Sequence, residues 1–388
     1  MILFFIRTFN DVDHITPIVY RLAGYSSEPI RVFCQNPSFD INNDFRLEFL
    51  RENVNNLKIG YIYSLKKPVR ALPGDKLELQ EFDENWAKIL FEELKPSVLV
   101  FDYVIDSGKF ITGSLIKAAR RLNIPTIGVP PGLPVFSEGY MPDIDFFKNE
   151  VRTELDYNIV PHRIDADYRI GHGFNPDRIT ILGSARFCKE WREVINNVVP
   201  PDKLPDYKSN EKLKVVYMER GADLHGEFSE TIRETITRVS RLDFVHLIIK
   251  PHTRERRLQF PSSDTTEIAY HANSINLIKW ADAVIGTNSS ILVEALMQDK
   301  VLLYPKYFHR DRMIFHDMGA CWTVHSIMEL EGALKQMRSA GFVKPYPREN
   351  VERLVEKIVY GGVKNRDVLG DYVKFICGIA NKKTQRWS

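Results

Sequence analysis

The sequence has little cysteine, and the few cysteines are dispersed. Four occur in 388 residues, at positions 34, 188, 321 and 377, and none forms a C-x-x-C pair. Zinc knuckles need cysteine pairs at short spacing and disulfide frameworks are rich in cysteine, so the sequence disfavours both and indicates a reducing, cytoplasmic compartment.

Long apolar runs are also lacking. No apolar stretch approaches the roughly 20 residues that cross a bilayer. The short run MILFFI has no basic residue before it and predicts a buried first strand rather than a signal peptide. The C-terminal NKKTQRWS carries few cations and one tryptophan, so at most peripheral contact with the inner face of a membrane is expected.

Charge of one sign is not in excess. The 53 Lys and Arg residues nearly balance 51 Asp and Glu residues, which gives a net charge of +2. No global field attracts nucleic acid, and no nucleic-acid partner is expected. The hydrophobic share of 44% and the charged share of 27% are typical of a globular chain, and the length fits about two domains.

Several catalytic motifs are absent. No G-x-G-x-x-G follows a predicted strand, and neither a G-x-S-x-G elbow nor a Walker lysine is present. These absences disfavour dinucleotide oxidoreductases, α/β-hydrolases and P-loop enzymes. Three Asp-x-Asp triplets occur, at 11/13, 143/145 and 165/167, but none follows a long central strand as a Mg²⁺-diphosphate site requires. We therefore predict no metal site and no cofactor.

The chain does contain a regular alternation of short β-rich runs and longer amphipathic runs, which predicts parallel sheets covered by helices. The predicted strands are residues 2–6, 30–34, 57–63, 98–104, 126–129, 157–160, 178–182, 213–218, 244–250, 283–286 and 301–304. A proline-rich stretch, VPPDKLPDYKSN, interrupts the rhythm and indicates a linker. We predict an α/β protein with two Rossmann-like, doubly wound domains that face a central cleft.

The predicted domain boundaries follow from that interruption. An N-terminal Rossmann-like acceptor domain is expected over residues 1–190, a linker over 191–212 and a C-terminal Rossmann-like nucleotide-donor domain over 213–365. Residues 366–388 predict a closing helix and a basic tail that pack back on the N-terminal domain.

The stretch WADAVIGTNSSILVEALMQDKVLLY is the most informative motif. A strand ends in Gly-Thr-Asn-Ser-Ser and a helix begins at once, so Asn288 or Ser289 is expected to cap that helix. Backbone N–H groups at a helix start, with small hydroxyl residues such as Ser290, are typical of diphosphate sites. Glu294 follows Ser290 by one turn and is expected to accept hydrogen bonds from a ribose or sugar. An ordinary capped helix with a solvated Glu294 is the alternative.

Two further strand ends carry cations. Lys250, His252 and Arg254 follow a strongly apolar strand, where a phosphate-bearing ligand would bind in a parallel sheet. Arg220 and Gly221 lie at the end of the first strand of the same domain. Arg220 is a candidate to bind a phosphate, and Gly221 would permit a tight turn. For Lys250, His252 and Arg254 the alternative is a solvated basic loop. For Arg220 and Gly221 the alternative is an ordinary loop after a strand.

These motifs together resemble those of GT-B-fold enzymes of bacterial surface-polysaccharide synthesis. KPHTRE is similar to the family's "K-x-H-P" loop, and ADAVIGTNSSILVEAL is similar to "sD-x-x-I-x-x-x-S-S-x-x-x-E-A". ITILGSAR resembles the "v-x-G-x-x-R" step between the two domains. The family's proline is Thr253 here. The resemblance implies that His252, Ser289 and Ser290 hold the donor phosphates, that Glu294 holds the ribose or sugar, and that Gly286 allows close backbone approach.

The N-terminal domain offers candidate catalytic residues. Asp13 and His14 follow the first predicted strand, in a loop that is similar to the "G-H-x-x-P" start of several GT-B enzymes, with Asp13 in place of glycine. Either side chain could take a proton from an acceptor hydroxyl, and Asp13 could equally be only a helix cap. Asp102, at the end of VLVFD, is a third candidate.

The predicted function is a metal-independent glycosyltransferase. It would move a sugar from a nucleotide-sugar donor to a glycan or lipid-linked glycan acceptor of a surface polysaccharide. A polyol-phosphate transferase of teichoic-acid type, a sugar-nucleotide 2-epimerase and a catalytically silent nucleotide-sugar-binding relative remain alternatives. The 2-epimerase needs further acid–base carboxylates that the sequence does not place. The sequence leaves the donor, the acceptor, the stereochemistry and the oligomeric state open.

Overall fold

The computed structural model describes residues 1–65, 82–102, 111–130, 132–140, 155–205, 212–220, 226–252, 260 and 264–384. The chain divides into two compact units. The first comprises Met1–Leu133, Asp143–Val198 and Ile358–Ser388, and the second comprises Pro134–Pro142 and Val199–Lys357. The short segment Pro134–Pro142 therefore belongs to the second unit, although the chain on either side of it belongs to the first.

A seven-stranded parallel sheet forms the centre of the first unit, in the order β3-β2-β1-β4-β5-β6-β7. Its strands are β1 Ile2–Ile6, β2 Ile30–Cys34, β3 Leu57–Tyr61, β4 Val98–Asp102, β5 Thr126–Val129, β6 Tyr157–Val160 and β7 Ile179–Ile181. The helices of this unit are α1 Phe9–Ala23, α2 Phe45–Asn53, α3 Glu84–Leu94, α4 Thr112–Arg121, α5 Arg163–Gly171, α6 Lys189–Val198 and α13 Val368–Thr384.

The central strands of this sheet are apolar on both faces because helices cover both. Every residue of β1 and β4 is buried, and the Phe5 and Phe101 rings stack with centroids 4.7 Å apart. The closing helix α13 packs on this unit, where the Tyr372 hydroxyl donates to the carbonyl of Gly183 at 3.0 Å. Continuous apolar strands of this kind are typical of parallel sheets.

A six-stranded parallel sheet forms the centre of the second unit, in the order β10-β9-β8-β11-β12-β13. Its strands are β8 Leu213–Met218, β9 Val245–Lys250, β10 Thr266–Ile268, β11 Ala283–Ile285, β12 Val301–Pro305 and β13 Trp322–Val324. The helices of this part of the chain are α7 Ser229–Ser240, α8 Ser274–Trp280, α9 Ile291–Met297, α10 Ile314–Asp317, α11 Ile327–Met337 and α12 Arg348–Ile358.

Both sheets have the Rossmann strand order, which confirms the predicted fold class. In each sheet the chain runs outward from the first strand to one edge and then crosses to the other side, so the order reverses between β1 and β4 and between β8 and β11. Doubly wound sheets bind ligands at the carboxyl ends of the strands beside such a reversal. The sequence pattern did not predict β10 and β13, which are edge strands of three residues.

Helix α1 begins earlier than the sequence analysis expected. The polar residues before Ile15 were assigned to a loop and Pro17 to a first turn, but the helix starts at Phe9. Thr8 caps it in a reciprocal arrangement with Asp11, which stabilises the start of a helix despite the polar sequence. Pro17 lies inside the helix and cannot donate to the carbonyl of Asp13.

The described part of the chain contains no helix long and apolar enough to cross a membrane.

Candidate active site

Arg7 and Asp102 meet at the strand-order reversal of the first sheet. Arg7 follows β1 and Asp102 is the last residue of the neighbouring β4, so the two side chains leave the same edge. The Arg7 guanidinium contacts the Asp102 carboxylate directly, and Asp102 is 3% exposed. An arginine and a carboxylate thus lie where a parallel sheet of this order binds its ligand.

Asp11 adds a second carboxylate to this pair. One of its oxygens accepts the backbone N–H of Arg7 at 2.6 Å and of Thr8 at 3.0 Å, and the other accepts the Thr8 hydroxyl at 3.1 Å. Asp11 also shares a hydrogen bond with Asp102. The buried carboxylates of Asp11 and Asp102 therefore both lie beside Arg7.

The surroundings of Asp102 favour its protonated form. Burial raises the pKa of Asp102 well above its usual value, and the Asp11 carboxylate adds to the rise. Arg7 acts in the opposite direction but does not cancel the other two effects. A carboxyl group whose pKa is raised can accept and return a proton closer to neutral pH than an ordinary aspartate.

Asp13 lies on α1 rather than in the predicted loop. Its carboxylate contacts the Arg46 guanidinium and lies 3.0 Å from Nη1 of Arg186. Burial acts to raise the pKa of Asp13, but the coulombic effects of Arg186 and Arg46 prevail and lower it. Since a carboxylate with a lowered pKa is a weak base, these interactions favour Asp102 over Asp13 as the proton acceptor.

His14 is an uncharged buried imidazole. Its ring is 2% exposed, and burial together with Arg186 lowers the pKa of His14 to about 3. Neither ring nitrogen has a hydrogen-bond partner among the residues that the structure describes. The sequence analysis favoured Asp13 and His14 as base and held Asp102 in reserve, and the surroundings of the three side chains point to the reverse order.

In the second unit, the ends of β8 and β9 are linked. The N–H of Glu219 donates to the carbonyl of Lys250 at 3.0 Å, and the N–H of His252 donates to a Glu219 oxygen at 3.1 Å. The Lys250 ammonium donates to the carbonyls of Ala269 and Tyr270, at 3.2 and 2.9 Å. Lys250 thus fixes the end of the neighbouring strand β10, whereas His252 and the half-buried Arg220 stay at the edge. Gly221 and Arg254 lie outside the described residues.

The loop after β11 differs from its predicted capping. Helix α9 begins at Ile291 with Ser290 as N-cap, and no side chain caps it. Asn288 or Ser289 was expected to cap it, but the Asn288 amide donates to Asp311 instead. A Cβ added at Gly286 would lie 2.6 Å from a Leu292 methyl carbon, so the Leu292 side chain would have to move. The close approach of a ligand to Gly286 stays a prediction.

Glu294 is buried rather than solvated. It is 5% exposed, and its Oε1 accepts the Gln298 side-chain amide at 2.7 Å. The alternative of a solvent-facing Glu294 is therefore wrong. Glu294 therefore lies on the buried side of α9, and its contact with a ribose or sugar stays a prediction.

Asp311 and Tyr140 are site residues that the sequence analysis missed. One Asp311 oxygen accepts the Tyr140 hydroxyl at 2.8 Å, and the other accepts the Asn288 amide at 3.3 Å. The Tyr140 segment is also held by its backbone, where the N–H of Ser137 donates to the carbonyl of Arg312 at 2.9 Å. Asp311 lies in the polar stretch HRDR, but Tyr140 is 171 positions away and gave no local signal.

Among the described residues, no group of three His, Cys, Asp or Glu side chains could hold a metal ion.

Comparisons with known proteins identify the fold. No family model matches the chain, and no curated protein matches it. UDP-GlcNAc 2-epimerase from Neisseria meningitidis, bound to UDP-GlcNAc, superposes with a TM-score of 0.59 at 13% identity, over 98% of this chain and 99% of that one. The Staphylococcus aureus MnaA–UDP structure gives 0.56 at 14%, over 97% of each chain. Anabaena HepE with UDP-glucose gives 0.58 at 9%, over 97% of this chain and 99% of that one. The chain therefore has the GT-B-like fold over nearly its whole length.

Proposed function

We propose that this protein is an enzyme that acts on a nucleotide sugar, and that its reaction is a 2-epimerisation of the sugar. The observation that carries the proposal is the buried pair Asp11 and Asp102 beside Arg7, at the strand-order reversal of the first sheet. Similar structures of UDP-GlcNAc 2-epimerases, at 13% and 16% identity, support the same reaction class. The sequence analysis did not place the further acid–base carboxylates that this reaction needs, and we propose Asp11 and Asp102 for that role.

The chemistry of a 2-epimerisation suits this pair. When a proton leaves the carbon at position 2, its electron pair forms a C1–C2 double bond and the bond from C1 to the diphosphate oxygen breaks. The diphosphate then adds back to C1 as a proton is delivered to the opposite face of the carbon at position 2, so the enzyme needs acid–base groups near neutral pH. The raised pKa of Asp102 meets that need. Arg7 holds the Asp102 carboxylate in place and offers positive charge to any oxyanion that develops nearby.

The second unit would hold the nucleotide. His252, Ser289 and Ser290 are proposed to contact the diphosphate, Glu294 the ribose or sugar, and Arg220 a phosphate oxygen. Within the described residues, no hydrogen bond engages the backbone N–H groups of Ser289 and Ser290. Such groups bind phosphate oxygens readily.

Glycosyl transfer is the second candidate function. Asp102 could take a proton from an acceptor hydroxyl as well as from carbon. One similar structure is described as a complex with UDP-glucose and another as a complex with UDP and glucose, which favours sugar transfer from UDP. A polyol-phosphate transferase would bind its donor through the same phosphate-binding residues.

Incubation with UDP-GlcNAc in D₂O separates these functions. We expect a second nucleotide-sugar epimer and deuterium at position 2 of the sugar, both detectable by ¹H NMR. Release of UDP that requires an added glycan or sugar acceptor, with no deuterium in the remaining substrate, would instead establish transfer. If neither occurs with UDP-, CDP-, GDP- or TDP-linked sugars, the proposal is wrong.

Asp311 is expected to support nucleotide binding through Asn288. Asp311→Ala releases the Asn288 amide, so we expect UDP affinity to fall several-fold in calorimetry. Tyr140→Phe should weaken UDP binding in the parental protein but not in the Asp311→Ala background, because Tyr140 acts through that carboxylate. Tyr25→Phe, at a tyrosine that is 63% exposed, is the matched control. Equal effects of Tyr140→Phe in both backgrounds would contradict the coupling.

A further inference from the structure

The imidazole of His14 is buried without a hydrogen-bond partner. It lies on α1, three residues after Asp11, so it is on the same side of the helix about 4.5 Å further along the axis. Both of its ring nitrogens lack a partner among the described residues. A buried polar atom left unpaired destabilises the folded state, so such an atom calls for a ligand or another compensating group.

Three charged groups act on this imidazole. Asp13 is on the same helix, Arg46 is on α2, and Arg186 is in the segment after β7. Arg46 is fully engaged, because it contacts the carboxylates of Asp13 and Asp44 and donates to the carbonyl of Phe9 at 3.1 Å.

Arg186 has donors to spare. Its side chain is 22% exposed, its Nη1 lies 3.0 Å from Asp13, and its guanidinium carbon lies 5.0 Å from the centroid of the Phe187 ring. A guanidinium has five N–H donors. Among the described residues, no hydrogen bond or ion pair engages the other guanidinium nitrogens, and the two buried ring nitrogens of His14 have no partner either.

The balance of charge at His14 is positive. Burial is the largest cause that lowers the pKa of His14, and Arg186 follows, whereas Asp13 acts in the opposite direction with less effect. An anion placed here would offset Arg186 and favour the imidazolium. Binding of an anion and uptake of a proton would then strengthen each other.

We propose that His14 and Arg186 form a binding site in the first unit for a phosphate-type oxyanion, and that the anion binds together with a proton that His14 takes up. The site explains why an imidazole without partners is kept beside a partly exposed arginine. It consists of residues of the first unit and does not require the proposed function. The oxyanion can belong to a nucleotide diphosphate or to a separate phosphorylated ligand.

Calorimetry with sulfate tests the proposal, because sulfate does not titrate near neutral pH. The protein is titrated at about pH 6 and about pH 8, in buffers of different ionisation enthalpy, to count the protons taken up. We expect proton uptake and an affinity that falls up to about tenfold per pH unit. In parallel, the imidazole ¹H signal of His14 should titrate at higher pH with sulfate than without it.

Variants separate this site from other anion sites. His14→Gln should make sulfate binding independent of pH, and Arg186→Gln should weaken it at both pH values. His172→Gln, at a half-buried histidine of the same unit that contacts the Tyr168 carbonyl, is the matched control and should behave as the parent. The Arg186 variant and the NMR titration keep the test decisive if His14→Gln does not fold.

Two outcomes would overturn the proposal. One is that the parent binds neither sulfate nor pyrophosphate, and the other is that His14→Gln binds sulfate with the parental pH dependence. Competition between sulfate and UDP would show that the site takes the phosphates of the nucleotide, whereas binding of both at once would show a separate phosphorylated ligand. Sulfate binding that depends on His14 in a protein that does not bind UDP would support this site while the proposed function fails.

Discussion

Replacing Asp102 by Asn is expected to lower nucleotide-sugar turnover by about 10²- to 10⁴-fold, with nucleotide affinity near the parental value. The amide keeps the size of the side chain and an oxygen for Arg7, but it cannot take a proton. Steady-state rates and UDP calorimetry on the same preparation measure the two effects separately. Asp156→Asn is the matched control, because Asp156 is a carboxylate of the same unit that accepts the N–H of Thr126, at the opposite end of the sheet.

The pH dependence of this variant is a second readout. The raised pKa of Asp102 means that the folded state binds more protons than the unfolded chain above about pH 3.9, so stability falls as pH rises through the window up to the raised pKa. Asp102→Asn removes this loss, and its melting temperature relative to the parent should increase with pH. Parental turnover in Asp102→Asn would show that the proton acceptor lies elsewhere.

Replacing Arg46 by Met is expected to lower the free energy of unfolding by about 3–5 kcal/mol, the largest stability effect that we predict. Arg46 is 1% exposed, and its guanidinium lies 3.8 Å from the centroid of the Phe9 ring. Its removal leaves the carboxylates of Asp13 and Asp44 without their shared buried cation. Urea denaturation of the parent and the variant measures the loss.

Two further variants test the reason for that loss. Arg21→Met breaks an exposed pair with Asp367, whose N–O distance is 3.6 Å, and it should cost at most about 1 kcal/mol. In an Asp44→Asn background, Arg46→Met should cost clearly less than in the parent, because one of the stranded charges is gone. An equal cost in both backgrounds would mean that packing rather than charge makes Arg46 important.

The resemblance and the site argue from different residues. The resemblance rests mainly on motifs of the second unit, where the loop after β11 and the end of β9 lie at the carboxyl ends of strands of one sheet. The proposed acid–base pair lies in the first unit. The sequence analysis named Asp102 as the last residue of an apolar strand and Asp11 only as part of an Asp-x-Asp triplet, and it did not name Arg7.

The local sequence determined the two doubly wound sheets. Apolar runs of four to six residues, separated by amphipathic segments and turns, can be covered on both faces only in a parallel sheet, and a proline-rich stretch separated the two sets. The same reasoning placed chemically active side chains at strand ends. The strand pattern, the linker and the strand-end side chains all depend on residues close together in the chain, so one sequence is enough to predict them.

Only the tertiary structure decided in which direction the pKa of each candidate carboxylate moves. Asp13 and Asp102 look alike in sequence and both are buried, yet Arg186 and Arg46 lower the pKa of Asp13, whereas burial and the Asp11 carboxylate raise that of Asp102 against the effect of Arg7. Tyr140 reaches Asp311 across 171 positions. Such pairings arise from the order of strands and the packing of helices, and a pKa depends on burial and on charges that are distant in the chain.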